Sequence, residues 1–266
     1  MAPEPANLGS IAHLADEHEQ ESTDERSRMS FLEHLDELRR RILYSLYALI
    51  AVCCFTFYYW EALYAYFIRY FLAFGGELIF TKPMAGFMFS LKLSGLAALL
   101  VASPFIFAQL WLFIAPGLYA KEKRVVLPFV GCSTLLFGGG VWFAHRIAFP
   151  SMWKFFASYG IEGMRYMPDI DVAFGFYVKV ILGMGAIFQM PVLVFFLARF
   201  GVVTAGFMLR KFKYAIVIIV VLAAVITPSG DPVNLAVFAA PMVILYLFSI
   251  GVAWMFGKKK RADEEL

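Results

Sequence analysis

Ser30–Trp60 reads SFLEHLDELRRRILYSLYALIAVCCFTFYYW. Its first twelve residues place Phe31, Leu32, Leu35 and Leu38 on one face at helical spacing. Ser30 followed by Glu33 has the capping-box pattern, which predicts a helix start at Ser30. Glu33 and Glu37 lie one turn apart on the other face, and Arg39, Arg40 and Arg41 close the segment. Acids early and bases late suit the helix dipole. Ile42 to Trp60 then runs without a charge, close to the roughly 20 residues that cross a bilayer. A charged helix leading straight into a span sets carboxylates at headgroup level, where a cationic ligand can meet them.

The rest of the chain has the same character. Of 266 residues, 61% are hydrophobic and 16% charged, and the mean hydropathy is +0.73. Those values describe an all-α polytopic membrane protein, not a soluble domain. After about 42–60, apolar segments recur at about 87–114, 125–149, 173–198, 214–227 and 233–256. The reading is a six-span membrane domain over 30–256, an acidic disordered tail over 1–29 and a short charged tail over 257–266. No apolar region with a small-residue cleavage site precedes the first span, so no cleaved signal peptide is expected. The fifth segment is short, and short spans thin the local bilayer or shelter against neighbours.

An even number of spans puts both termini on one side. Fourteen bases (Arg39 to Arg41, Lys121, Lys123, Arg124, Arg199, Arg210, Lys211, Lys213 and Lys258 to Arg261) lie on that side. Five (Arg69, Lys82, Arg146, Lys154 and Arg165) lie on the other. The positive-inside rule makes both termini cytoplasmic. The larger outer loops, about 61–86 and 150–172, carry the aromatics expected at an interface. Pro104, Pro128, Pro150, Pro191 and Pro241 fall within or beside spans and permit kinks, so a concave wall of helices is expected instead of a closed bundle.

Polar groups inside the spans are few: Lys92, Lys179 and Gln189. The lysines are read as reaching to the outer headgroups, and Gln189 as an interhelical hydrogen bond. No Asp or Glu sits mid-span, which argues against a proton-coupled carrier. There is no Walker sequence, no HExxH and no nucleophile–base arrangement, so the chain is not read as an enzyme, and no cofactor or metal is expected. Cys53, Cys54 and Cys132 lie in apolar runs and are read as buried small apolar groups. A net charge of +3 gives no case for nucleic acid. Phe113–Arg124, FIAPGLYAKEKR, joins the second and third spans; Pro116-Gly117 breaks the helix, and Glu122 is the one acid among Lys121, Lys123 and Arg124. Glu122 can be a local ion-pair partner there, as Glu37 can for Arg41 at i, i+4.

EHLDELRRR at Glu33–Arg41, FIAPGLYAKEKR at Phe113–Arg124, FQMP at Phe188–Pro191 and TPSGDP at Thr227–Pro232 occur in this order across six spans. In this the chain resembles the TatC family, the signal-receptor subunits of the bacterial twin-arginine protein translocase, from Ser30 to Phe256. The resemblance implies a multi-pass protein of the bacterial cytoplasmic (inner) membrane that recognises twin-arginine signal peptides of folded proteins and nucleates the export complex. It implies that Glu37 and Glu122 meet the paired arginines, with Arg39, Lys121, Lys123 and Arg124 around them. It also implies a hetero-oligomer in which single-span subunits of the TatA/TatB type dock near Thr227, Asp231 and Asn234, with membrane lipid as surroundings. Two departures stand out. Gln189 occupies a fourth-span position that is commonly Glu in the family, and Pro83 is followed by Met84, Ala85 and Gly86 without the acid often found there. The competing readings are a small-molecule secondary transporter with a central site near Gln189 and Lys179, and, more remotely, an intramembrane hydrolase. The halves show no internal repeat to support the transporter.

Overall fold

The computed structural model describes residues 8–74, 77–114, 126–158, 166–227 and 231–257, with side chains from Glu33 onward in the first helix and from Leu127 onward in the fourth. The elements are α1 (Leu8–Tyr58), α2 (Trp60–Leu72), α3 (Ala85–Ile114) and α4 (Val126–Phe143), then a π-helical turn (Ala144–Ala148) and α5 (Phe149–Ser158). They continue with α6 (Ile170–Ile187), α7 (Met190–Arg199), α8 (Ala205–Arg210), α9 (Phe212–Ile226) and α10 (Pro232–Phe256). Five stretches are long and apolar enough to span a membrane, and α9 is a shorter sixth. The six-span, all-α expectation holds.

Several boundaries differ from the sequence reading, each for a local reason. The helix expected to start at Ser30 starts at Leu8, and Ser30 lies inside it. No Gly or Pro occurs between Ser10 and Tyr58, so nothing in the chain interrupts helical propagation. The third span does not end near Phe149: α4 runs through the π-turn into α5 as far as Ser158. Pro150 sits just beyond that turn. A proline ring clashes with the carbonyl four residues back, and a widened turn relieves this. The fourth span is broken at Phe188–Gln189 into α6 and α7, with Pro191 in the first turn of α7, where its missing N–H costs nothing.

The stretch read as a loop over 61–86 contains α2. Phe67 and Phe71 of α2 are buried and meet Phe89 of α3, Phe174 of α6 and Trp153 of α5. This aromatic core ties the outer ends of the spans. Beside it, Ile79 pairs with Asp169 in a single β-bridge, and the Asp169 carboxylate caps α6 at Asp171 N–H, 2.8 Å away. Lys92, expected to extend toward headgroups, holds Asp171 of the first turn of α6 at 3.0 Å. At the π-turn the His145 ring lies between the hydroxyls of Tyr66 (3.0 Å) and Tyr177 (2.9 Å). Tyr70 donates to the His145 carbonyl.

The helices cross on small residues. A Cβ built at Gly140 of α4 would stand 2.7 Å from the Met184 carbonyl oxygen and 3.0 Å from Gly185 Cα of α6. One at Gly185 would stand 2.6 Å from the Phe137 ring. In a bilayer, where lipid is as apolar as leucine, such close approach is what lets helices associate. The outward surfaces are apolar, which corrects one expectation: Cys54 and Cys132 are exposed and only Cys53 is half-buried. An apolar group facing hydrocarbon carries no desolvation cost, so a span has no need to bury it.

Candidate functional site

At the base of the first span, α1 leans on α3: His34 stacks on Phe113 with ring centroids 4.5 Å apart. There the helix turns one face outward, and Glu33, Asp36, Glu37, Arg40, Arg41 and Tyr44 line a groove of about 420 Å³. Three acids one turn or less apart face two bases, because i, i+3 and i+4 positions share a helix face. Glu37 is half-buried and Glu33, Asp36 and Arg39 are exposed. Leu35, on the face expected to be apolar, is 43% exposed.

Glu37 is held by its own helix. Arg41 Nη2 donates to Glu37 Oε1 at 3.1 Å, and Arg41 Nη1 donates to Gln109 Oε1 of α3 at 3.2 Å. Gln109 is buried and was not singled out from sequence. A glutamine near the end of an apolar helix carries no signal until the partner helix is placed beside it. Glu122, Lys121, Lys123, Arg124 and Pro116 lie outside the described residues. The described part of α3 ends at Ile114, the residue after the Phe113 that His34 stacks on.

Two residues beyond Gln109, Trp111 donates from Nε1 to Ser133 Oγ of α4 at 2.8 Å and stacks on Phe196 of α7 at 4.4 Å. Gln189 donates from Nε2 to the Ser133 carbonyl at 2.8 Å. Gln189 therefore cross-links the α6–α7 break to α4, and Pro191 fixes the backbone beside it. The site's helix α1 and the polar joint of α3, α4 and α7 thus meet along one end of α3.

At the opposite membrane face the Thr227, Asp231 and Asn234 cluster is internal. Thr227 and Asn234 are each 2% exposed. The Thr227 hydroxyl donates to the Ala223 carbonyl. The Asp231 carboxylate accepts from Asn234 N–H at 2.8 Å and from Asn234 Nδ2 at 2.9 Å, capping α10. The side chains of Thr227 and Asn234 are therefore internal in the single chain. They hold the end of α9 and the start of α10. The two helices carry exposed apolar residues, among them Ile218, Val221 and Val225 on α9 and Val233 on α10.

The family model described as "Sec-independent protein translocase protein (TatC)" matches residues 33–241, from the acidic groove to the middle of α10. The chain belongs to the TatC family. A TatC protein of Koribacter versatilis is 42% identical over 241 residues, covering 88% of each chain. One from Helicobacter pylori is 37% identical over 87% of this chain and 90% of its own. Two crystal structures of the twin arginine translocase receptor TatC, one of them in DDM, superpose with TM-scores of 0.71 and 0.73. Both are 31% identical and cover 83% of this chain. As a TatC, the chain is a multi-pass membrane component of a Sec-independent protein translocase. The transporter reading set beside this one gains no support. Gln189, the centre it needed, is bonded to the Ser133 carbonyl within the TatC scaffold.

Proposed function

We propose that this chain is the receptor that takes the paired arginines of a twin-arginine signal peptide at the cytoplasmic face of a bacterial inner membrane. The observation that carries this is the Glu37 carboxylate, half-buried in an acid-lined groove at the foot of the first span. A guanidinium binds a carboxylate in a planar fork, and a lysine ammonium cannot reproduce that geometry. Glu37 takes one arginine and Glu122, eight residues beyond Ile114, takes the other. Arg39, Lys121, Lys123 and Arg124 keep the rim basic and repel indiscriminate cations. The charge bias of the loops orients this end toward the cytoplasm.

Two charge-assisted hydrogen bonds contribute about 1.5–3 kcal/mol each, short of the roughly 8 kcal/mol of micromolar binding. The apolar segment of the signal supplies the remainder along α1, where Ile42, Leu46 and Ile50 run exposed up the helix from the acids. Single-span partner subunits of the TatA/TatB type pack on the exposed apolar face of α9, whose end Thr227 caps, beside the start of α10 that Asp231 caps. The chain itself recognises and organises; it catalyses no reaction.

The test is binding of a fluorescent signal peptide to the full chain in detergent, Arg-Arg against Lys-Lys, with Glu37→Ala and Glu122→Ala. Tight binding that needs both arginines and both glutamates is expected. Full Arg-Arg preference in both variants sinks the reading.

A further inference from the structure

We propose that Arg41 is an internal competitor for the signal's arginine: it occupies Glu37 in the free receptor and must be displaced for the ligand to bind. The inference rests on the receptor reading and assigns a role to a residue that reading leaves out. Its geometry is that of a held but replaceable ligand. Arg41 reaches one carboxylate oxygen through one nitrogen, 3.1 Å, so the contact is single-pronged. Its second terminal nitrogen is drawn away to Gln109 of α3 at 3.2 Å. Its Nε–H is buried and has no acceptor among the described residues. A guanidinium has five N–H donors; among the described residues this one leaves a buried donor unmet, which is a cost. An arginine arriving from solvent can approach both Glu37 oxygens as a fork, the stronger arrangement.

The pairing has two consequences. Glu37 is not left as an uncompensated carboxylate in the empty receptor, although Glu33 and Asp36 of the same groove stay exposed. When the ligand takes Glu37, Arg41 stays tethered to Gln109. Occupancy of α1 is then registered on α3, two residues from the Trp111 that bonds Ser133. Because every ligand that occupies Glu37 pays the same displacement cost, Arg41 sets affinity and leaves the Arg-Arg to Lys-Lys ratio alone.

The test is signal-peptide binding to the full chain in detergent, comparing wild type, Arg41→Gln, Glu37→Gln and the double variant. Arg41→Gln should bind about 1.5- to fivefold more tightly, the range expected for loss of a part-exposed ion pair. The gain should vanish in the Glu37→Gln background, where there is no carboxylate to contest. A merely structural role for Arg41 would not depend on Glu37 in that way. Equal or weaker binding by Arg41→Gln, or a gain that persists without Glu37, overturns the proposal. If Arg41→Gln does not yield folded protein, Arg41→Lys carries the test: it should tighten binding about twofold, since lysine holds a carboxylate less well, and unchanged or weaker binding overturns the idea. The receptor reading fails differently: wild type then binds Arg-Arg and Lys-Lys peptides alike, and Glu37→Gln changes neither.

Discussion

Gly140→Ala adds one methyl group at the point where α4 crosses α6. That carbon would lie 2.7 Å from the Met184 carbonyl oxygen, against the 3.4 Å at which ordinary contact begins. It would also lie 3.0 Å from Gly185 Cα and from Phe188 Cβ. About 0.7 Å must be made up, and two of the three obstacles are backbone, which cannot rotate aside as a side chain can. The Met184 oxygen also accepts the Phe188 N–H at 3.0 Å, the bond that closes α6 just before the Gln189 break. Overpacking of this kind costs about 1–3 kcal/mol, a drop of roughly 3–10 °C in melting temperature. Gly139→Ala is the internal control, because its added carbon meets only Phe188 Cδ1 at 3.9 Å, an ordinary contact. The assay is thermal unfolding of the full chain in detergent, followed by tryptophan fluorescence. Gly140→Ala melting within a degree of wild type, or both variants falling equally, would refute the close-crossing argument.

Other expectations follow from single contacts. Gln189→Leu removes the bond to the Ser133 carbonyl and should lower stability by about 0.5–1.5 kcal/mol, a typical interhelical hydrogen bond in a membrane; denaturant titration in mixed micelles checks it, and an unchanged midpoint would deny Gln189 its bridging role. Trp111→Phe keeps the stack on Phe196 while removing the donor to Ser133 Oγ, so it should cost about 1 kcal/mol, and less than additively with Gln189→Leu because both act through Ser133. At the outer face the Thr81 hydroxyl, ahead of the backbone N–H groups of Asp171, Val172 and Thr81, holds the Asp169 carboxyl below the usual carboxylate range. A depressed folded value stabilises the fold above the unfolded value and is lost as pH falls through the folded one. Melting temperature should therefore decline below about pH 4, and Thr81→Val should shrink that decline. A Thr81→Val acid limb identical to wild type would show that another group carries it.

The acid and base order of Glu33 to Arg41, the absence of mid-span carboxylates and the recurrent apolar runs are properties of composition and period. They require no knowledge of neighbours, so membrane class, number of spans and the position of Glu37 at the foot of the first span were legible in the chain. The fifth span was rightly read as short, because Phe212–Ile226 is 15 residues and no packing lengthens it. Helix ends were less legible. Ser30 carries a cap pattern, yet a cap forms only where the preceding chain leaves the helix, and nothing between Ser10 and Ser30 makes it leave. The helix α2 was missed because its aromatics also suit an interfacial loop; Phe67 and Phe71 declare a helix only once Phe89, Phe174 and Trp153 surround them.

By itself, then, the sequence determined what each segment needs: an apolar period needs lipid or core, a proline needs a widened turn or a first turn, and a carboxylate at a span's foot needs a cation. Which group answers each need was decided only by tertiary structure. Arg41 answering Glu37 is local and readable, at i, i+4. Gln109 answering Arg41, Ser133 answering both Trp111 and Gln189, and Asp171 answering Lys92 join residues far apart in the chain. Those pairings follow from helix crossings such as Gly140 against Gly185, where the missing side chains let two backbones approach and so set which polar groups come within hydrogen-bond reach.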